Sequence, residues 1–197
     1  MDPAFEELSQ SLGRLPGFGR RSAERAAMAL VADRAKLDAL RAALDAAAAD
    51  VRLCTLCGSV TSVHRNPCSI CTDPKRDPSQ LCVVEDPGDI LLLERAGVFQ
   101  GRYHALLGRL SSSRATGPAE LRLRELAERV ASEGVREVVL ALGTDLEGDA
   151  TAAYIAEMFR DTAVAVTRLA FGLPAGSGIR FSDPVTLANA LRGRQGL

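Results

Sequence analysis

Tryptophan is absent from this chain and aromatic residues make up only 4% of it, so any interior must be assembled from Leu, Val and Ala. With 47% hydrophobic residues over 197 positions there is enough apolar material to do so. No apolar run of roughly eighteen residues occurs, which excludes a helical membrane span. The opening MDPAFEELSQ lacks the basic-then-apolar order of a secretory signal. The expectation is a cytoplasmic protein. An excess of charge is missing as well: the formal net charge is -1, with 25% charged residues. A nucleic-acid binder so nearly neutral must work through a local basic patch or several copies of one. Five cysteines in a reducing compartment point to metal or chemistry rather than disulfides.

What is present falls into segments of different texture. Residues 1–52 read as helical: Phe5, Leu8 and Leu12 recur at spacings of three and four, RSAERAAMALV is rich in helix formers, and Leu37, Leu40 and Leu44 form a stripe that predicts a packed third helix. Residues 53–77 contain CTLCGSVTSVHRNPCSIC. Residues 78–170 alternate apolar strands (LCVVE, REVVLAL, AVAVTRLA) with helical stretches (PGDILLLERAG, GDATAAYIAEMFR), the pattern of a parallel sheet covered on both faces. The segment 171–197 ends in a helix, TLANALRGR. The predicted fold class is a multi-part α/β chain: helical hairpin, small four-cysteine finger, parallel α/β sheet and C-terminal helix.

The stretch Leu15-Pro16-Gly17-Phe18-Gly19 lies between two predicted helices. Gly17 and Gly19 permit positive φ and leave backbone N–H groups uncovered. A helix starting near Arg20 adds its free N–H groups and positive dipole end, which makes an anion site out of backbone. Arg21 and Arg25, four apart, share a face and add charge near a phosphate. A plain helix–helix turn is the alternative. LPGFGRRSAERAA resembles the helix-hairpin-helix motif, which implies sequence-independent contact with the DNA backbone; the candidate contacts are Arg14, Gly17, Gly19, Arg20, Arg21 and Arg25.

Two Cys-x-x-Cys knuckles, Cys54/Cys57 and Cys68/Cys71, are separated by ten residues. That spacing suits one tetrahedral Zn²⁺, structural because four protein ligands leave no open position. A redox pair or idle thiols are the alternatives. His64 is left without a ligand role, and Cys82, inside an apolar strand, reads as a buried core thiol.

Acidic residues form a third group. Glu85 ends the first strand, and Asp145, Glu147 and Asp149 follow a later one. Sites in open α/β sheets form beyond the carboxyl ends of strands. Glu147 and Asp149, two apart in a loop, would both face one hard cation such as Mg²⁺. Helix caps and solvated loop charges are the alternative. The pattern resembles a Toprim domain, in which topoisomerases and primases carry out phosphoryl chemistry.

A helix-hairpin-helix, then a four-cysteine finger, then a Toprim domain resembles the RecR family of recombination mediators. The resemblance runs from about Leu12 to Arg194, through LPGFGRRSAER, CTLCGSVTS, CSICTDPKRD, LCVVEDPGDILLLERAGVFQGRYH and LEGDATAAYIA to TRLAFGLPAGSGIRFSDPVTLANAL. It implies a non-enzymatic, nucleoid-associated role in single-strand gap repair, with RecO-type and RecF-type partners and loading of RecA. It also implies sequence-independent binding of single- and double-stranded DNA by a ring, typically a homotetramer, with residues 171–197 supporting oligomerisation. Arg21 and Arg25 match the family's basic positions, and the Toprim acids become a partner surface where Mg²⁺ is weak. Departures are Leu107 and Ala115 where the family pattern has Gly, and Ser112 where it has Pro. The competing function is a Toprim-family metal-dependent nuclease or another phosphoryl-transfer enzyme.

Overall fold

Two units divide the chain, Met1–Val51 and Arg52–Leu197, in a computed structural model that describes residues 2–170, 172–173, 176 and 179–194. In the first unit, Asp2 accepts from the N–H groups of Ala4 and Phe5 and starts α1 (Pro3–Gly13), with proline at the position where no N–H is needed. After the glycine turn come α2 (Arg20–Ala32) and α3 (Arg34–Asp50), the latter capped by Asp33 through the Lys36 N–H. Helices α1 and α2 approach closely where Gly13 faces Ala23: a Cβ added at Gly13 would lie 3.6 Å from that of Ala23. Among the described residues of these helices only Ala23 and Ala27 are buried. The leucine stripe of α3 therefore marks a helix correctly but is packed only in part among the described residues: Leu37 is half-buried, whereas Leu44 is 61% exposed. Spacing dictates the helix; it does not supply what covers it.

In the second unit β1 (Val51–Leu53) and β2 (Val60–Ser62) form a two-stranded sheet, followed by the single turn α4 (Ser69–Thr72). A four-stranded parallel sheet follows, built from β3 (Asp77–Val84), β4 (Gly101–Ala105), β5 (Glu137–Ala141) and β6 (Ala165–Arg168) in the order β4-β3-β5-β6. Crossovers run through α5 (Pro87–Ala96), α6 (Leu123–Glu133) and α7 (Leu146–Met158). One face packs Leu81, Val83, Val138 and Leu140 with Leu126 and Ile155. The other packs Cys82 and Val84 with Ile90, Tyr103 and Ala105. Helices thus cover both faces, as the continuous apolar strands predict. Helix α8 (Pro184–Arg192) closes the described chain, capped by Asp183. The predicted oligomerisation segment 171–197 lies in part outside the described residues.

Strand β4 and helix α6 escape the sequence reading. GRYHA is short and carries Tyr103 and His104, yet both are fully buried. The Tyr103 hydroxyl donates to Glu94 at 2.8 Å, and the His104 Nε2 lies 2.8 Å from the Arg122 carbonyl. Burial pushes the His104 imidazole down to about 3, so it stays neutral inside the sheet. The pair is structural.

Leu107 and Ala115 both take left-handed backbone, the conformation that favours glycine, at φ 61° and 52°. A side chain there costs about 1–2 kcal/mol, against about 0.4–1 kcal/mol by which glycine loosens the unfolded chain. Leu107→Gly and Ala115→Gly are each expected to raise stability by a few tenths to about 1 kcal/mol, read as a higher urea midpoint at unchanged slope. A lower midpoint would show that packing of these side chains outweighs the strain.

Candidate functional site

The four knuckle cysteines converge. Cys54 and Cys57 flank a turn closed by the Gly58 N–H on the Cys54 carbonyl at 2.9 Å, with Gly58 at φ 77°. Cys68 caps α4 and Cys71 lies within it. All four are buried and none is in a disulfide. Their sulfurs lie within 4.8 Å of one another, with Cys57–Cys68 at 3.5 Å and Cys54–Cys71 at 4.0 Å. Metal–sulfur bonds of about 2.3 Å in a tetrahedron place sulfurs about 3.8 Å apart, so the set fits a thiophilic divalent ion. Backbone N–H groups already point at two sulfurs: Ser59 donates to Cys57 at 3.4 Å and Cys68 to Cys54 at 3.3 Å. Without a cation the thiols conflict. Hydrogen bonding from Cys57 and Cys71 pulls Cys68 down to about 2, while proximity to Cys68 pushes Cys57 up to about 12. Among the described residues this is the one group of three or more His, Cys, Asp and Glu side chains so gathered. His64 is exposed, and Cys82 is buried among apolar neighbours that push its thiol up to about 12.

At the hairpin, Gly17 takes left-handed backbone at φ 82°, whereas Gly19 does not: it is extended at φ -84° and serves as the N-cap of α2. Glycine there leaves no side chain on the first N–H groups of α2, and nothing lies within 4 Å of where a Cβ would be. Arg21 and Arg25 are exposed on one face, and neither has a carboxylate partner among the described residues. Arg20 differs, because its Nε pairs with Glu24 at 3.1 Å. Arg14 is the C-cap of α1.

The acids gather, but the loop expectation for them is corrected. Because β3 and β5 are neighbours, Glu85 meets the segment after β5 and accepts from the Gly143 N–H at 2.7 Å. Asp145 caps α7 by accepting from Gly148 at 2.9 Å, and Glu147 and Asp149 lie in the first helical turn. Residues two apart on a helix do not face each other, so these carboxylates do not converge on one ion. Each instead meets an arginine. Arg109 lies 2.8 Å from Asp145, 3.0 Å from Glu147 and 3.7 Å from Glu85. Arg114 lies 2.9 Å from Glu147, and Arg168 2.7 Å from Asp149. The Ser111 hydroxyl also bonds Glu147. The Gly148 N–H, followed by Arg109, holds the Asp145 carboxyl below the usual range; Ser111, followed by Arg114, does so for Glu147. Three arginines absent from the sequence reading complete this face. Only the carboxylates carried a recognisable pattern, since their counter-ions come from distant segments.

These features define a class: a Toprim-type α/β domain joined to a four-cysteine finger and an N-terminal helical hairpin. Residues 79–170 match the Toprim domain family, 5–48 the RecR helix-hairpin-helix and 172–195 the RecR C-terminal family. Recombination protein RecR of Brucella canis is 48% identical over 193 residues, covering 98% of this chain and 95% of that protein. Its counterpart in Acidothermus cellulolyticus is 44% identical over 194 residues, covering 98% and 96%. That of Streptomyces coelicolor is 44% identical over 191 residues, covering 96% and 95%. The chain belongs to the RecR family of recombination proteins.

Proposed function

We propose that the chain is a non-enzymatic recombination mediator: a ring that clamps DNA without reading its sequence and, with RecO-type and RecF-type partners, promotes loading of RecA in single-strand gap repair. DNA backbone meets the bare N-terminus of α2 together with Arg21 and Arg25. The four thiols hold one Zn²⁺ that stabilises the finger and offers no open position for chemistry. Oligomerisation is supported by the first unit, which buries two alanines in its helices yet exposes Met28, Val31 and Leu44. A unit of that size with so little core gains stability when further copies cover its apolar side. A ring also multiplies one modest basic patch, which suits the near-zero net charge. The bacterial cytoplasm is the compartment this reading assigns, and no described helix is long and apolar enough to cross a membrane.

The observation that carries the non-enzymatic reading is the seat of Arg109 among Glu85, Asp145 and Glu147. A Toprim enzyme needs such acids for Mg²⁺, whereas here a guanidinium occupies them and any Mg²⁺ must compete with it. The face reads instead as a partner surface, with Leu146 85% exposed beside it. Glu147 holds the 111–114 segment through Ser111 and Arg114. Glu147→Ala with Asp149→Ala is therefore expected to lower binding of a RecO-type partner while DNA binding persists. Incubation of wild type with labelled DNA and Mg²⁺ or Mn²⁺ is expected to leave the DNA intact. Metal-dependent cleavage that vanishes in Glu85→Gln would establish the nuclease reading instead.

A further inference from the structure

The Cys54–Gly58 knuckle has its backbone carbonyls captured by the Toprim sheet. The Thr55 and Leu56 carbonyls accept from Arg122 Nη2 at 2.8 and 3.0 Å. The Cys57 carbonyl accepts from the Ala105 N–H at 2.8 Å, at the end of edge strand β4. Arg129, buried in α6 and paired with Glu133, reaches the Leu56 carbonyl at 3.4 Å and the Tyr103 carbonyl at 2.7 Å. Gly58 is required at this contact: a Cβ there would lie 2.7 Å from Arg122 Nη1.

Arg122 is also bonded to β4 and to the residue that follows it. Its N–H donates to the Leu106 carbonyl at 3.2 Å, its carbonyl faces the His104 Nε2 at 2.8 Å, and its Nη1 reaches the Ala105 carbonyl at 3.4 Å. The chain leaving β4 then turns through Leu107, anchors the Gly108 N–H on the Glu85 carbonyl at 3.0 Å and delivers Arg109 to the acids. A contiguous set of backbone bonds thus joins the metal knuckle to the position of Arg109.

We infer that Arg122 is a positioning residue that couples metal occupancy of the finger to the Arg109–acid face, so that loss of the metal by chelation loosens that face and weakens the partner bound there. A common ion on its two cysteines would hold the knuckle turn closed and so keep its carbonyls aimed at Arg122 and Ala105. Once the turn opens, the buried Ala105 N–H and the half-buried Arg122 fork lose acceptors, and the unpaired Ala105 N–H favours local opening. The inference rests on the zinc and partner-surface readings above. Its primary readout needs no partner, so failure of the partner reading shows separately, as does failure of the zinc reading in metal analysis.

The test is amide hydrogen exchange on the full chain loaded with Zn²⁺, then stripped by chelator, then reloaded. Zinc removal is expected to speed exchange by at least about tenfold over residues 105–109, with residues 20–32 and 146–158 unchanged and protection restored on reloading. Arg122→Lys keeps a cation but not the fork across two carbonyls. It is expected to retain zinc, to show the same faster exchange at 105–109 and to bind a RecO-type partner more weakly. Unchanged exchange at 105–109 in the stripped wild type, or equal loosening throughout 79–170, would overturn the coupling. Should the Arg122 variant fail to fold, the stripped wild type decides alone.

Discussion

Replacing Cys57 by serine is expected to cost the chain its zinc and the fold of the four-cysteine finger. An ion would close two knuckles that are otherwise held by short backbone turns and by thiols that cannot all ionise at 3.5–4.0 Å. Structural zinc contributes roughly 10–16 kcal/mol of apparent binding energy in small fingers, as large as a typical domain's whole stability of about 5–15 kcal/mol. Even a fraction of that figure, lost here, would open the finger and lower the solubility of the chain. Metal analysis should return one zinc per wild-type chain and far less for Cys57→Ser. Cys82→Ser is the control: it places a hydroxyl among apolar neighbours and costs some stability, but leaves zinc at one per chain. A zinc-free chain with the wild-type melting profile would rule out the metal centre.

Arg21→Ala together with Arg25→Ala is expected to give the largest loss of DNA affinity, by a similar factor on every sequence tested. Both side chains are exposed and, among the described residues, without a carboxylate partner, so their charge is available to phosphate. Each phosphate contact removed should take about 0.9 from the slope of log K against log salt on duplex DNA. Two contacts per chain in a four-membered ring would take about 7, and a single engaged chain about 2. Light scattering with and without gapped DNA supplies the copy number that turns the measured change of slope into contacts per chain. Arg20→Ala should cost less, because Glu24 already neutralises Arg20. Unchanged affinity and slope in the double variant would place the DNA-binding patch elsewhere.

Legibility of each part depended on how far apart in sequence its interacting groups lie. The hairpin could be read because proline, two glycines and the arginines act within twelve residues; even so, only Gly17 uses the left-handed backbone, while Gly19 is needed for its missing side chain. The cysteine centre could be read because each knuckle is a local turn and only one closure joins them. Strands β3, β5 and β6 announced themselves as continuous apolar runs. Strand β4 did not, because its Tyr and His are buried through bonds to Glu94 and Arg122, which a window of five residues does not contain.

The acids mark the boundary most clearly. Their positions at strand ends followed from the sequence, and so did the expectation that they gather. Their chemistry was decided in three dimensions. Adjacency of β3 and β5 brought Glu85 to Gly143, the helical phase of α7 turned Glu147 away from Asp149, and Arg109, Arg114 and Arg168 arrived from other parts of the chain to neutralise them. The sequence by itself determined the hairpin, the four-cysteine cluster and the parallel α/β character, because propensity, turn chemistry and hydrophobic period act over a few residues. Tertiary structure alone decided that the acids are met by guanidinium groups and that the finger is bonded to β4, because charge pairing and backbone capture depend on which segments folding places side by side.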